Sequence, residues 1–449
     1  MIEERGMNFD GNTPQNRESE LSECQGESLG SRFAKRKVTD LKDSDIPWIG
    51  EIPKDWETLQ LKRCVSFNNG QDYKQIETSK EEGFPVYGSG GVFAFAKNYI
   101  YNGEAVLFGR KGTIDKPLYV NEKFWAVDTM YFAISKNNCL NKFIYYLANI
   151  IPYDKYSTST ALPSMTQTIL GNILIGVPSL QEQKAIAEFL DRKCREIDEL
   201  VALQDKMIEE LKAYKQSIIT ETVTKGLNPN VPLKDSGIEW IGEIPQHWKV
   251  VRLGAIGSTI NGISKDASSF GEGFPFVSYK DVYNHYNLPN TVNGLVKSNE
   301  NEQKVFSVNY GDIFFTRTSE TIEEIGFSSV CLNSIPNAVF AGFLIRFRPI
   351  PNIIEPKFSK FFFRAICHRN YFVKEMNLVT RASLSQNLLK SMPVLLPPLS
   401  EQQEIADFLD MKCSEIDSLI ELKQQKIEEL KDYKKSIIYE YVTGKKSVI

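Results

Sequence analysis

The sequence predicts an α+β chain: two similar mixed α/β heads, each followed by one copy of a long helix, with the two helices pairing as a coiled coil. Three observations predict it. The first is an internal repeat. The stretch PSLQEQKAIAEFLDRKCREIDELVALQDKMIEELKAYKQSIITETVTK, starting at Pro178, returns from Pro397 as PPLSEQQEIADFLDMKCSEIDSLIELKQQKIEELKDYKKSIIYEYVTGK. Most positions are identical, and a repeat of this kind sets the architecture before any other feature is read.

The second observation is heptad spacing. In the first copy Leu190, Ile197, Leu211 and Ile218 share one seven-residue series with Gln204, interleaved with Cys194, Val201 and Ile208. In the second copy Leu409, Ile416, Leu430 and Ile437 share a series with Lys423, interleaved with Cys413, Ile420 and Ile427. Apolar residues sustained at both heptad seam positions predict a coiled coil. Gln204 and Lys423 interrupt the same layer, where a polar residue fixes register. At a rise of about 1.5 Å per residue each helix would reach roughly 60–65 Å. Ser400 followed by Gln403 predicts a capping box for the second helix; Gln181 stands at the matching place in the first.

The third observation is a strap before each head. KDSDIPWIGEIPKDW from Lys42 returns as KDSGIEWIGEIPQHW from Lys234. Its Ile-Pro steps predict extended, turn-rich backbone. Trp48, Trp56, Trp240 and Trp248 are expected to pin the straps by aromatic packing. The strap copies lie closer together in sequence than the helix copies, so the second head is the longer one. This gives a disordered acidic tail at 1–41, strap and first head at 42–177, helix and linker at 178–233, strap and second head at 234–396, and the last helix at 397–449.

Within the first head, FPVYGSGG, VFAFAKNYI, AVLFGRKGTI, PLYV and WAVDTMYFAIS read as strands joined by glycine-containing turns, and NKFIYYLANII as a short buried helix. The second head follows a similar plan: FPFVSYKDV, YGDIFFTRT, GFSSVCLN and FAGFLIRFRP, then one helix PKFSKFFFRAICHRNYFVKEM. Each head closes with a polar loop, a short helix and an apolar strand.

Bulk properties narrow the class. Apolar residues at 42% and charged residues at 24% suit a soluble globular chain of 449 residues. No apolar run reaches the roughly 18 residues of a membrane helix, and no secretory segment opens the chain. Seven scattered cysteines without a CxxC pair argue for a reducing, cytoplasmic setting and against structural zinc. The net charge of −4 is uneven: the first head carries about +2 and the second about +5, while tail and helices are acidic, and a segment's charge says more about a nucleic-acid partner than the total does.

The order of these motifs resembles the specificity (S) subunit of type I restriction-modification systems. IPWIGEIPKDW and IEWIGEIPQHW, PSLQEQKAIAEFLD and PPLSEQQEIADFLD, and LKAYKQSII and LKDYKKSII carry the resemblance, which covers the chain from about residue 42 to its end. The resemblance implies that the heads are target recognition domains, each reading one half of a split asymmetric site on double-stranded DNA. It implies an antiparallel two-helix coiled coil that separates them with pseudo-twofold symmetry. It implies a non-catalytic subunit working with two modification (M) subunits that methylate adenine, and with restriction (R) subunits. S-adenosylmethionine, ATP and Mg are then expected on those partners only, with no cofactor and no metal on this chain. The tail departs from the family's usual start.

Base edges call for Arg, Lys, Asn, Gln, Ser or Thr on loops, and phosphates for cations and hydroxyls. The candidates in the first head are Tyr87 and Ser89 in YGSGG, Arg110, Lys111 and Thr113 in FGRKGT, and Ser157, Thr158, Ser159, Thr160 and Gln167 in the polar loop. In the second head they are Ser278 and Lys280, Arg317 and Thr318, and Arg381, Ser383, Ser385 and Gln386. GSGG and GRKG also read as plain hairpin turns. FGRKGT is not a phosphate-cradling loop, since no GK[ST] closes a GxxxxG frame. No methyltransferase tetrapeptide or nuclease carboxylate cluster is evident. The rival reading is a coiled-coil scaffold or adaptor that binds protein alone.

Overall fold

The computed structural model describes residues 40–157, 163–319, 325–375 and 382–448. It forms two compact units, Met1–Ala202 with Ile427–Ile449, and Leu203–Lys426. Each unit holds one strap, one head and a length of both long helices.

In the first unit the strap is a hairpin, Leu41–Ile46 against Gly50–Pro53. Glu57–Gln60 then pairs antiparallel with Leu174–Val177, so the head is closed at its two chain ends. Its seven strands run in the order Val65–Asn69, Met130–Ser135, Tyr101–Gly109, Leu118–Ala126, Phe84–Gly88, Gly91–Ala96 and Glu77–Thr78. Alternation along Tyr101–Gly109 sends Val106 and Phe108 into one core and Leu107 into another. The first core also takes Phe143 and Leu147 of the helix Asn141–Ala148, and Leu190 of the long helix.

The second unit repeats the central order with four strands: Gly257–Asn261, Leu344–Pro349, Ile313–Thr316 and Ser328–Val330. Beyond them the heads diverge. Phe270–Val277 lies between Leu295–Val296 and Val339–Phe340 in a separate sheet. The single helix expected after FAGFLIRFRP is two, Pro356–Phe362 and Ile366–Glu375. At the break Arg364 turns inward. Its guanidinium donates to the carbonyls of Ser328, Val282, Tyr283 and His285, four acceptors that a straight helix would leave unserved.

The long helices are Leu180–Lys225 and Leu399–Val442. In the first unit Phe189 meets Tyr441 at 4.4 Å and Lys434 bonds Asp198 at 2.7 Å. In the second, Lys423 reaches Gln204 at 3.3 Å and Lys215 reaches Asp417 at 2.6 Å. Residues ascending one helix meet residues descending the other, so the pairing is antiparallel. Leu190, Cys194, Ile197, Ile208, Leu409, Cys413, Ile416 and Ile427 are buried, and Val201, Leu211, Ile420 and Leu430 half-buried. The helix starts differ from expectation. Ser400 lies inside the second helix, whose first turn closes on the Pro398 carbonyl. In the first helix Ser179 caps, accepting from the Glu182 amide at 3.3 Å.

Glu182–Gln183 and Glu401–Gln402 join strap, head and helix in each unit. Trp56 Nε1 donates to Glu182 and Trp248 Nε1 to Glu401, both at 3.1 Å. Gln183 donates to the carbonyls of Asn138 and Pro178 and accepts from the Leu140 amide. Gln402 donates to those of Ile353 and Pro397 and accepts from the Glu355 amide. Leu140 and Glu355 are the residues just before the head helices Asn141–Ala148 and Pro356–Phe362.

The far helix ends return to the same tryptophans. Gly226 and Gly444 have φ of +74° and +72°, the left-handed turn that ends helices and that glycine adopts without penalty. A Cβ on Gly444 would run into the Pro53 ring, with Trp56 at 3.2 Å. Gly444→Ala is therefore expected to cost about 2–3 kcal/mol, combining left-handed strain with a contact the rigid proline cannot relieve. A urea midpoint shift measures it; an unchanged midpoint would show that the helix end is not held in this turn.

Candidate nucleic-acid interface

The first head brings two of the predicted loops together. Lys111 bridges antiparallel to Ser164, the Gly112 amide donates to the Pro163 carbonyl, and the Met165 amide donates to the Arg110 carbonyl at 3.0 Å. The FGRKGT turn and the end of the polar loop are thus one zipped surface. Lys111 is exposed and Thr113 half-buried. The exposed Arg110 guanidinium lies 5.9 Å from the Tyr131 ring centre.

The second head builds the same zip. Thr318 pairs with Ser383, and the Leu384 amide donates to the Arg317 carbonyl at 2.7 Å. The amides of the two arginines are held alike. Arg110 donates to the Thr129 carbonyl and Arg317 to the Phe343 carbonyl, each just before the strand that neighbours the arginine's own. Arg110 and Arg317 therefore occupy one backbone position in two heads.

Other candidates divide by engagement. Tyr87 donates to Glu122 at 2.6 Å, and burial together with that carboxylate holds its hydroxyl above the ordinary tyrosine range. Ser89 sits in the tight turn between Phe84–Gly88 and Gly91–Ala96. Ser157 is half-buried. Ser278 caps the helix Tyr279–Asn284 in a reciprocal box with Asp281, while Lys280 beside it is exposed. Ser385 caps Gln386–Ser391. Gln386 accepts from Thr259 at 2.8 Å, and Gln167 reaches the Phe67 carbonyl at 3.5 Å. Thr158, Ser159, Thr160 and Arg381 lie outside the described residues.

The interior cations of the second head are held by the fold. Asp312, 1% exposed, takes Arg348 in a two-pronged pair at 2.6 Å for each bond. That pairing raises the Arg348 pKa, whereas desolvation lowers that of Arg346, which donates to the carbonyls of Ser307 and Val305.

Sequence reading did not find the apolar residues that leave the seam. In the first unit Leu200 (46% exposed) and Tyr433 (58%) lie within two residues of the paired Asp198 and Lys434 along their helices; in the second, Leu419 (48%) and Tyr214 (55%) lie as near to Asp417 and Lys215. The signal was present: a leucine and a tyrosine off the heptad seam in both copies of the repeat.

A family model described as the type I restriction modification DNA specificity domain matches residues 53–213 and 245–432. The chain is 30% identical over 278 residues to the putative type I restriction enzyme MjaX specificity subunit of Methanocaldococcus jannaschii, over 54% of this chain and 63% of the relative. It is 29% identical over 241 residues to the EcoKI specificity subunit of Escherichia coli K12, over 52% and 49%. These alignments thus span less than two thirds of the relatives' own length. In fold it is similar to the HsdS subunit from Thermoanaerobacter tengcongensis, with TM-score 0.51 and 17% identity over 88% of this chain and 98% of that one. It is also similar to a chain from a structure titled for complex assembly and conformational transition of the type I R-M system, with TM-score 0.66 and 18% identity over 88% and 99%.

Proposed function

Since the chain belongs to the type I restriction modification DNA specificity domain family, we propose that it is the DNA-recognition subunit of such a complex. One observation carries the reading. The same zip of arginine turn and polar loop occurs in two heads, which are joined alike to their helices but differ in their other loops. Each head reads one half of a split target, and differing loops make the halves differ. The chain itself has no catalytic role; S-adenosylmethionine, ATP and Mg serve the M and R partners. The repeated Leu–Tyr patches fit two copies of one M subunit.

Exchanging residues 58–177 for the head of another such subunit tests this. The methylome of cells carrying the hybrid with its M partner should change in one half of the methylated motif, with the other half and the gap kept. A change in both halves would overturn the reading.

A further inference from the structure

Resting on that reading, we infer that Arg110 and Arg317 are one device used twice: a clamp on the DNA phosphate backbone that sets each head's register and carries no base information. Three observations bear on it. First, both arginines have the amide fixed by the turn before the adjacent strand and the carbonyl fixed by the polar loop. Their Cα positions are therefore held by backbone alone, independent of loop sequence. Second, neither side chain forms an ion pair with an acid among the described residues; Arg110 is exposed and Arg317 half-buried. In contrast, Arg346, Arg348 and Arg364 of the second head each donate to groups of the fold. Third, the surroundings differ. The residue after the arginine is Lys111 in one head and Thr318 in the other, and the outer strands are arranged differently.

Two heads that read different bases need different side chains wherever they touch base edges. A residue kept identical at an identical backbone position suits the part of DNA that does not vary, the phosphodiester. Arginine at a strand end meets a phosphate with a charge-assisted bond. The differing neighbours, Lys111 and Thr318, are then free to touch what varies.

The test uses the subunit assembled with its M partner, and duplexes that do or do not contain the methylated motif. Arg110→Ala and Arg317→Ala should each weaken binding to both duplexes by the same factor, about tenfold for one charge-assisted bond. Each should make the slope of log K against log salt shallower by about 0.9, and the methylated motif should not change. Arg110→Lys and Arg317→Lys keep the charge and should retain the slope. A base-reading arginine would behave otherwise: alanine or lysine would relax the motif at one base pair, because lysine lacks the forked donors. That result overturns the clamp, as does wild-type affinity and slope in the alanine variants. If the wild-type assembly itself shows no salt-dependent binding to DNA, the recognition reading fails, and the clamp with it.

Discussion

Gln402→Ala is expected to lower the stability of the second unit by about 3 kcal/mol, and Gln183→Ala that of the first by a similar amount. Each glutamine is fully buried and makes three bonds to backbone groups. A buried polar group left without its partner costs about 1–3 kcal/mol. Alanine strands an amide before the head helix and carbonyls at the helix entry, and leaves no room for a full water shell. Gln402→Glu should be no milder, since a carboxylate faces the Ile353 and Pro397 carbonyls where the amide group donated. The effect should be local. Hydrogen exchange should quicken in Pro356–Phe362 for Gln402→Ala and in Asn141–Ala148 for Gln183→Ala, each leaving the other helix protected. Unchanged exchange in both helices would show that the glutamines do not hold the heads.

What could be read in the sequence follows from the range of each interaction. The seam was legible because burial of Leu190, Ile197, Leu409 and Ile416 is imposed by helical period, a local property. Strand existence in both heads was legible for the same reason. The zip between Arg110 and Met165 was not: its partners lie far apart in the chain, and only the sheet order brings them together. The role of Glu182 was equally hidden, because its partner is the indole of Trp56. The EQ pairs were visible as a repeated motif, but nothing local tells a glutamine that serves distant backbone from one in solvent. The Ser400 cap was misread by a local rule. Ser400 with Gln403 matches a capping pattern, yet the helix starts one residue before Ser400, at Leu399 after Pro397–Pro398, and so takes the serine into its first turn. The break after Phe362 was invisible because PKFSKFFFRAICHRNYF has no proline or glycine inside it; what breaks it is the tertiary demand for Arg364.

Charge placed on the repeated Leu–Tyr patches should remove M subunits one at a time. Leu200→Asp with Tyr433→Ser alters the patch of the first unit, and Leu419→Asp with Tyr214→Ser that of the second. All four side chains are about half exposed or more, so their replacement leaves the seam intact, and surface changes of this kind usually stay within about 0.5 kcal/mol of stability. Burying a leucine or an aromatic in an interface is worth roughly 1.5–3 kcal/mol, and a carboxylate in its place must be desolvated without a partner. Together the two changes in one patch should weaken its docking by at least about a hundredfold. The expected masses of the assembled complex are then two M subunits for the wild type, one for either double variant and none for the quadruple variant. Methylation should fall with them while thermal unfolding of the chain stays near wild type. If the double variants still carry two M subunits, the patches are not the docking sites. If either double variant alone loses both, docking is one cooperative event, and the repeat of the patch in the two units does not count partners.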